Sequence, residues 1–159
     1  MRHYALLCLA ALLPVFSFSA QAQKFKEPTK EELQMTSDPK APGAAAVYLD
    51  REIRNDNQSH YISEYARIKV LTELGKEWAT VEVPYRPPLV DGANLHLHEA
   101  IAASQAKPII VGRTIHPDGT VVPLTGKAED LLVYASTRGR VNVIVFTLPS
   151  VEAGSILEY

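Results

Sequence analysis

The chain has 159 residues, is 47% hydrophobic and 21% charged, and carries a formal net charge of −2. This composition suits one globular domain that can bury a core of its own. Both signs of charge are spread along the chain, and no block of lysine and arginine marks a nucleic-acid partner. The sequence therefore argues against nucleic-acid binding.

The first 22 residues have the three parts of a secretory signal peptide. A basic start, MRH, precedes the apolar run YALLCLAALLPVFSF, and Ala20 and Ala22 are the small residues that a signal peptidase reads. The run is shorter than the roughly 20 residues that span a bilayer. We therefore predict cleavage after Ala22, a periplasmic or extracellular location, and no stable membrane insertion afterwards. Cleavage also removes Cys8, the only cysteine, and with it any disulfide or thiolate chemistry.

Residues 23–44 are polar and rich in proline, which indicates a linker. Within them, Thr29 followed by KEELQM has the form of an N-cap and a short helix, with Glu32 at the capping-box position. We predict a polar linker with about two helical turns. A single β domain then follows over residues 45–159.

The clearest strand is HYISEYARIKVLT, which follows a first predicted strand, AAVYLDREIR. Its apolar face carries Ile62, Ala66, Ile68 and Val70, and its other face carries Tyr61, Tyr65, Arg67 and Lys69. After ELGK, where Gly75 suits a turn with positive φ, the chain returns as EWATVEVPY. The sequence therefore predicts a half-buried antiparallel hairpin over residues 61–85.

The second half of the chain contains further strand patterns. KPIIVGRTI and TVVPL flank HPDG, whose proline, aspartate and glycine stand in the order of a turn. RVNVIVFTLP is apolar on both faces, which predicts a central strand that is covered on both sides. We interpret TGKAEDLLVYASTRG as a polar connection, and GSILEY as a short, apparently truncated last strand at a sheet edge.

Short strands with turn residues between them predict a mainly β fold. We expect an antiparallel β-sandwich or partial barrel with a short N-terminal helix and an apparently truncated C-terminal strand. Residues 92–106, GANLHLHEAIAASQA, mix helical propensity with alternation, and we interpret them as an insertion between two strands.

Four segments, in this order, resemble a known bacterial domain: DPKAPGAAAVYLDRE, YARIKVLTELGKEWATVEVPY, GRTIHPDGTVVPLTGKAEDLLV and FTLPSVEAGSILEY. The resemblance runs from Asp38 to Tyr159 and is to a domain of unknown function that lies N-terminal to a transglutaminase-like domain in exported proteins. It implies a β-sandwich fold and a downstream transglutaminase-like domain as partner. It implies no catalytic residues here, because the Cys/His/Asp chemistry of such proteins lies downstream. Residues 92–106 depart from the family pattern.

The segment RTIHPDGTVVPL places Arg113, His116 and Asp118 close together, as an anion-binding cation, a base and its orienting carboxylate would be. The same segment also suits a tight turn, because an aspartate before glycine bonds nearby backbone and glycine accepts positive φ. No nucleophile with partners of its own stands beside these residues. We therefore interpret the segment as a hairpin turn and predict no catalytic residue.

His96 and His98 are two positions apart, so on a strand both imidazoles point to one face and are candidate zinc ligands. A zinc site needs at least a third ligand, and Glu99 would point to the other face. We therefore predict a solvated surface there, and neither a metal nor a cofactor in the chain.

Tyr61, Tyr65, Arg67 and Lys69 form an aromatic and basic stripe that we predict to be exposed. Such a face can bind sugar or peptide, or it can pack under a neighbouring domain, which we favour. The sequence thus predicts a non-catalytic exported accessory domain of a transglutaminase-like protein, for packing, positioning or substrate presentation. The alternative is a free-standing module that binds cell-envelope glycan or peptide.

Overall fold

A computed structural model describes residues 25–56, 61–87, 107–136 and 139–159. These residues form two antiparallel sheets that face each other as a sandwich, without a closed barrel. The predicted mainly β fold is confirmed. The predicted signal peptide and the predicted insertion at 92–106 lie outside the described residues.

The strands in chain order are β1 (Ala46–Asp56), β2 (Tyr61–Val70), β3 (Thr80–Tyr85), β4 (Arg113–Ile115), β5 (Val121–Pro123), β6 (Glu129–Ser136), β7 (Gly139–Thr147) and β8 (Ile156–Glu158). A short helix, α1 (Lys30–Gln34), precedes them, and a 3₁₀ helix (Glu73–Ala79) joins β2 to β3. The five-stranded sheet has the order β1-β2-β8-β4-β5, and the three-stranded sheet has the order β3-β7-β6.

The predicted capping box begins helix α1. The Thr29 hydroxyl accepts a hydrogen bond from Glu32 N at 3.2 Å, and the Glu32 carboxylate accepts one from Thr29 N at 2.8 Å. These two bonds satisfy backbone donors that a helix start leaves unpaired. The local pattern alone therefore predicted where this helix begins.

The core lies between the two sheets. Side chains of both sheets and of residues that directly adjoin β3 and β7 form it, namely Ile68, Val70, Ala79, Ile144, Phe146, Leu148 and Leu157. The alternation predicted for β2 is confirmed for Ala66, Ile68 and Val70, which are buried. Ile62, on the same face, is 67% exposed, so the β1–β2 hairpin extends beyond the core at that end.

The hairpin predicted over residues 61–85 is wrong. Strand β2 pairs with β1 and β8, whereas β3 pairs with β7 in the other sheet. The 3₁₀ helix carries the chain from one sheet to the other. Gly75 lies in this helix without a positive φ, and a Cβ built there would stand 2.1 Å from Ala45 O. Glycine is therefore required by close approach to backbone, not by turn geometry.

Two predictions about the second half of the chain are confirmed. Strand β7 is central in its sheet, between β3 and β6, but the predicted cover is complete only on the face of Ile144 and Phe146, because Val143 and Val145 are half-buried. HPDG is the turn of the β4–β5 hairpin, in which Gly119 has a φ of 89° and the Asp118 carboxylate accepts a bond from Thr120 N at 2.8 Å. Asp118 and Gly119 thus have the turn roles that the sequence predicted.

Two other predictions about this half are wrong. The segment interpreted as a polar connection contains β6, which is an edge strand. The last strand, expected at a sheet edge, lies between β2 and β4 and is buried at Ile156, Leu157 and Glu158. Both of its edges are paired, because β2 and β4 supply partners from distant parts of the chain.

Candidate functional site

The outer face of the five-stranded sheet carries a row of charged side chains. Strand register places Glu158 of β8 directly opposite Arg67 of β2 on one side and Arg113 of β4 on the other. Opposite charges on adjacent strands of one face interact favourably. The fold therefore builds an Arg–Glu–Arg triad from three strands that are far apart in sequence.

The Glu158 carboxylate is fully buried and both of its oxygens are occupied. Oε1 accepts hydrogen bonds from Arg67 Nη1 at 2.7 Å and from the Tyr65 hydroxyl, and Oε2 accepts one from Arg113 Nε at 2.6 Å. A buried carboxylate persists only when it is paired and hydrogen-bonded in this way. The triad is thus satisfied within the chain itself.

The segment before β1 covers this face. Glu32 of helix α1 accepts a hydrogen bond from Arg67 Nη2 at 2.9 Å, and Leu33 O accepts one from Lys69 Nζ at 3.0 Å. The ring of Phe25 lies under the Arg113 guanidinium, 4.9 Å from its central carbon. The predicted linker therefore packs on the sheet and closes its polar face.

Burial and these partners shift the pKa values of the covered groups. Burial, together with the bond to Glu158, raises the pKa of Tyr65 to about 12. Burial alone would lower the pKa of Arg67, but the bonds and charges of Glu32 and Glu158 outweigh it and raise that pKa. Burial lowers the pKa of Lys69, against a smaller opposing effect of the Glu32 charge. Arg67 is therefore held charged, while burial works against the charged form of Lys69.

The predicted exposure of the aromatic and basic stripe is wrong for three of its members. Tyr65, Arg67 and Lys69 are 6%, 1% and 0% exposed. The side chain of Tyr61 lies outside the described part of the structure. Alternation along β2 correctly separated the two faces, but it carried no information about what covers the second one. The covered stripe offers a structural network rather than an open ligand face.

The residues of the RTIHPDGTVVPL segment do not converge on one centre. Arg113 bonds to Glu158, whereas His116 Nδ1 lies 2.6 Å from Glu152 Oε1. The carboxylate of Asp118 bonds to the turn backbone. Arg113, considered as a binder of an anionic ligand, is thus paired with the Glu158 carboxylate of the same chain.

A cleft of about 430 Å³ opens at one side of the sandwich. Its walls include Tyr48 of β1, Glu77 and Trp78 of the 3₁₀ helix, and Tyr159 beyond β8. The rings of Tyr48 and Trp78 meet edge to face, with centroids 5.6 Å apart and planes at 87°. Burial raises the pKa of Tyr159 to about 12. Sequence reasoning missed this cleft, because Tyr48 and Trp78 come together only through the crossing between the sheets.

Strand β6 presents a second open surface. Leu131, Leu132, Val133 and Tyr134 are 47%, 60%, 65% and 59% exposed. Because neighbouring residues of a strand point to opposite faces, both faces of this strand carry exposed apolar side chains. The register shift in the pairing with β7 falls between Leu132 and Tyr134. We call these four residues the β6 patch.

The candidate metal ligands His96 and His98 lie outside the described residues. Within the described ranges, no group of three or more His, Cys, Asp or Glu side chains is arranged to hold a metal ion. In the same ranges, no helix has the length and apolarity needed to cross a bilayer.

In comparisons with known proteins, no family model, curated protein or solved structure matches the chain.

Glu158 is the residue of the buried network that sequence reasoning missed. The signal was present, since an acid stands between Leu157 and Tyr159 and shares a strand face with Ile156. Its partners could not be found from the sequence, because Arg113 and Arg67 are 45 and 91 positions away and only strand order brings them together.

Proposed function

We propose that this chain is a non-catalytic accessory domain of an exported transglutaminase-like protein, which it packs against and positions. The proposal rests on the resemblance of residues Asp38 to Tyr159 and on the β-sandwich, which is the fold that the resemblance implies. The expected signal peptide supplies the route to the periplasm or the extracellular space.

The β6 patch is the observation that carries the packing role. Four successive apolar side chains, each at least 47% exposed, lie on a strand that has only β7 as partner among the described residues. Exposed apolar side chains that cluster along one strand are a feature of surfaces that contact another protein. An open strand edge also offers unpaired backbone groups to a neighbour.

The polar stripe on β2 supports the same assignment by elimination. Lys69 and Arg67 already bond to Leu33 and Glu32 of the covering segment. A neighbouring domain on that face would have to displace this segment. We therefore place the neighbouring domain on the β6 patch.

Reading the gene beyond the codon for Tyr159 is the first test. A downstream segment that encodes a cysteine-containing transglutaminase-like domain supports the proposal. A stop codon at that point overturns it and favours a free-standing binding module.

The second test uses the longer gene product. Leu132→Lys combined with Tyr134→Lys should weaken the contact between the domains and lower the first thermal transition. The control is Ile109→Lys, because Ile109 is 93% exposed and lies outside the β6 patch. Equal melting behaviour of the double variant and the control would contradict packing through β6.

A further inference from the structure

The aromatic cleft lies between two strand edges. Strand β1 is at one edge of the five-stranded sheet and β3 is at one edge of the three-stranded sheet, and both border the cleft. Its volume of about 430 Å³ is in the range of small-ligand sites. A ligand here can use side chains and strand backbone at once.

The backbone of β3 turns alternate peptide groups towards this cleft. Leu148 N–H donates to Ala79 O at 2.9 Å, so the carbonyl of Ala79, directly before β3, faces β7. Because hydrogen-bonding groups alternate in direction along an antiparallel strand, the N–H and C=O groups of Thr80 and Glu82 face the edge away from β7. Both residues line the cleft. Thr80 N–H donates to Glu77 O. Among the described residues β3 pairs only with β7, so Thr80 C=O and both peptide groups of Glu82 face no partner strand.

The side chains of the cleft suit a cation. Trp78 is 36% exposed, and a tryptophan face is the best cation–π acceptor among the side chains. Tyr48 already has the guanidinium of Arg51 over its ring, 5.4 Å from the centroid. The Glu77 carboxylate beside Trp78 has no ion pair with any described residue, and among those residues no lysine or arginine lines the cleft.

We propose that this cleft binds an extended peptide that pairs with the open edge of β3 at Glu82 and places a lysine or arginine side chain against Trp78 and Glu77. Backbone pairing supplies affinity and the cationic side chain supplies selectivity, as in other strand-addition sites. The open edge favours peptide over glycan, because a sugar ring cannot continue a β-sheet. This role is separate from the β6 patch and goes beyond the accessory packing function.

Fluorescence of Trp78 tests the inference without a label, because it is the only tryptophan in the chain. The probe is an acetylated and amidated hexapeptide of threonine and valine with one central lysine. The matched peptide carries norleucine in place of lysine. The lysine peptide should change the emission with a saturable dependence and bind about two- to fivefold more tightly than the norleucine peptide. Its advantage should shrink as salt is raised.

Two variants separate the role of Glu77 from general surface charge. Glu77→Gln should weaken binding of the lysine peptide and leave the norleucine peptide unchanged. Glu129→Gln is the control, since Glu129 is an exposed acid on β6 without an ion pair among the described residues. A bound-state shift of the Glu82 backbone amide in NMR spectra would place the peptide on the β3 edge.

Three outcomes overturn the proposal. One is no emission change with either peptide at millimolar concentration. Another is equal weakening by Glu77→Gln and Glu129→Gln. The third is saturable binding of a neutral chitin trisaccharide while both peptides fail, which would make the cleft a glycan site.

Discussion

Arg67, Lys69 and Glu158 on the five-stranded sheet are at most 1% exposed, whereas Leu132 and Val133 of the β6 patch are 60% and 65% exposed. This inverts the usual distribution, in which charged groups face water and large apolar groups are buried. The buried charges are tolerated because the chain itself supplies their partners: Arg67 forms ion pairs with Glu32 and with Glu158. The apolar set has no such cover among the described residues. The sandwich therefore closes its polar face by itself, and we propose that the exposed β6 patch is the surface for a neighbouring domain.

The largest effect is expected from breaking the triad. Glu158→Ala leaves Arg67 and Arg113 without their shared carboxylate, and loss of one member of a buried ion pair costs about 3–5 kcal/mol. Urea unfolding should show this loss. The control is Glu152→Ala, because Glu152 is 54% exposed in its pair with His116 and should cost about 1 kcal/mol or less. A loss for Glu158→Ala as small as that of the control would contradict the network.

An apolar triad separates charge from packing. Arg67→Met, Glu158→Leu and Arg113→Met together remove the three charges of the triad, and replacing buried ion pairs by apolar side chains is often neutral or stabilising. The triple variant should therefore regain most of the stability that Glu158→Ala loses. If it stays as unstable as the single variant, the packing of these long side chains matters more than their charges.

The next largest loss of stability is expected in the 3₁₀ helix that connects the two sheets. In Gly75→Ala, the new methyl group meets Ala45 O, and overpacking of this kind costs about 1–3 kcal/mol. Gly126→Ala is the matched control, because a Cβ there has nothing within 4 Å. Thermal melts should show a lower midpoint for Gly75→Ala only. Equal midpoints would mean that the crossing relaxes without strain.

A smaller effect is expected at the covering segment. Partial burial would raise the pKa of Glu32, but hydrogen bonds from Arg67 and Thr29 outweigh it and lower that pKa. The unfolded state therefore binds the proton more readily, so the stability from Glu32 is present above its unfolded pKa and is lost as pH falls through the folded value. Glu32→Gln should cost about 1 kcal/mol at neutral pH. The difference from the wild type should shrink below about pH 4.

Local patterns predicted much of this fold. The capping box at Thr29, the alternation of β2 and the HPDG turn depend on neighbours in sequence, and the structure has all three. The predicted hairpin over residues 61–85 was wrong because the alternation of a strand does not show which sheet the strand joins. Here the 3₁₀ helix carries the chain from the five-stranded to the three-stranded sheet. Strand β6 was missed because its apolar run LLVYA does not alternate and lies within an otherwise polar stretch.

The candidate sites were harder to predict for a related reason. The Tyr65, Arg67 and Lys69 stripe was identified as one face, but its cover comes from a segment that looked like a linker. The aromatic cleft joins Tyr48 and Trp78, whose contact depends on the sheet crossing. Sequence periodicity predicts which side chains share a face of one helix or strand. It does not predict which other segment covers that face or where two elements form a cleft.

The smallest effect is expected on the β6 patch. Leu132→Lys in the isolated chain should change the free energy of unfolding by no more than about 0.5 kcal/mol, because this side chain is 60% exposed. The variant should also self-associate less than the wild type, which sedimentation at rising protein concentration would measure. A loss of stability above about 1 kcal/mol would show that Leu132 belongs to the core rather than to an open surface.

Amide hydrogen exchange tests the central comparison most directly, when residues 23–159 alone are compared with the longer gene product. Our account predicts that the amides of Leu131–Tyr134 exchange more slowly in the longer product, because the neighbouring domain covers the β6 patch. The amides of Tyr65, Arg67 and Lys69 should be equally protected in both, because their cover lies within the chain. Unchanged exchange at β6, or new protection confined to the β2 face, would contradict the account.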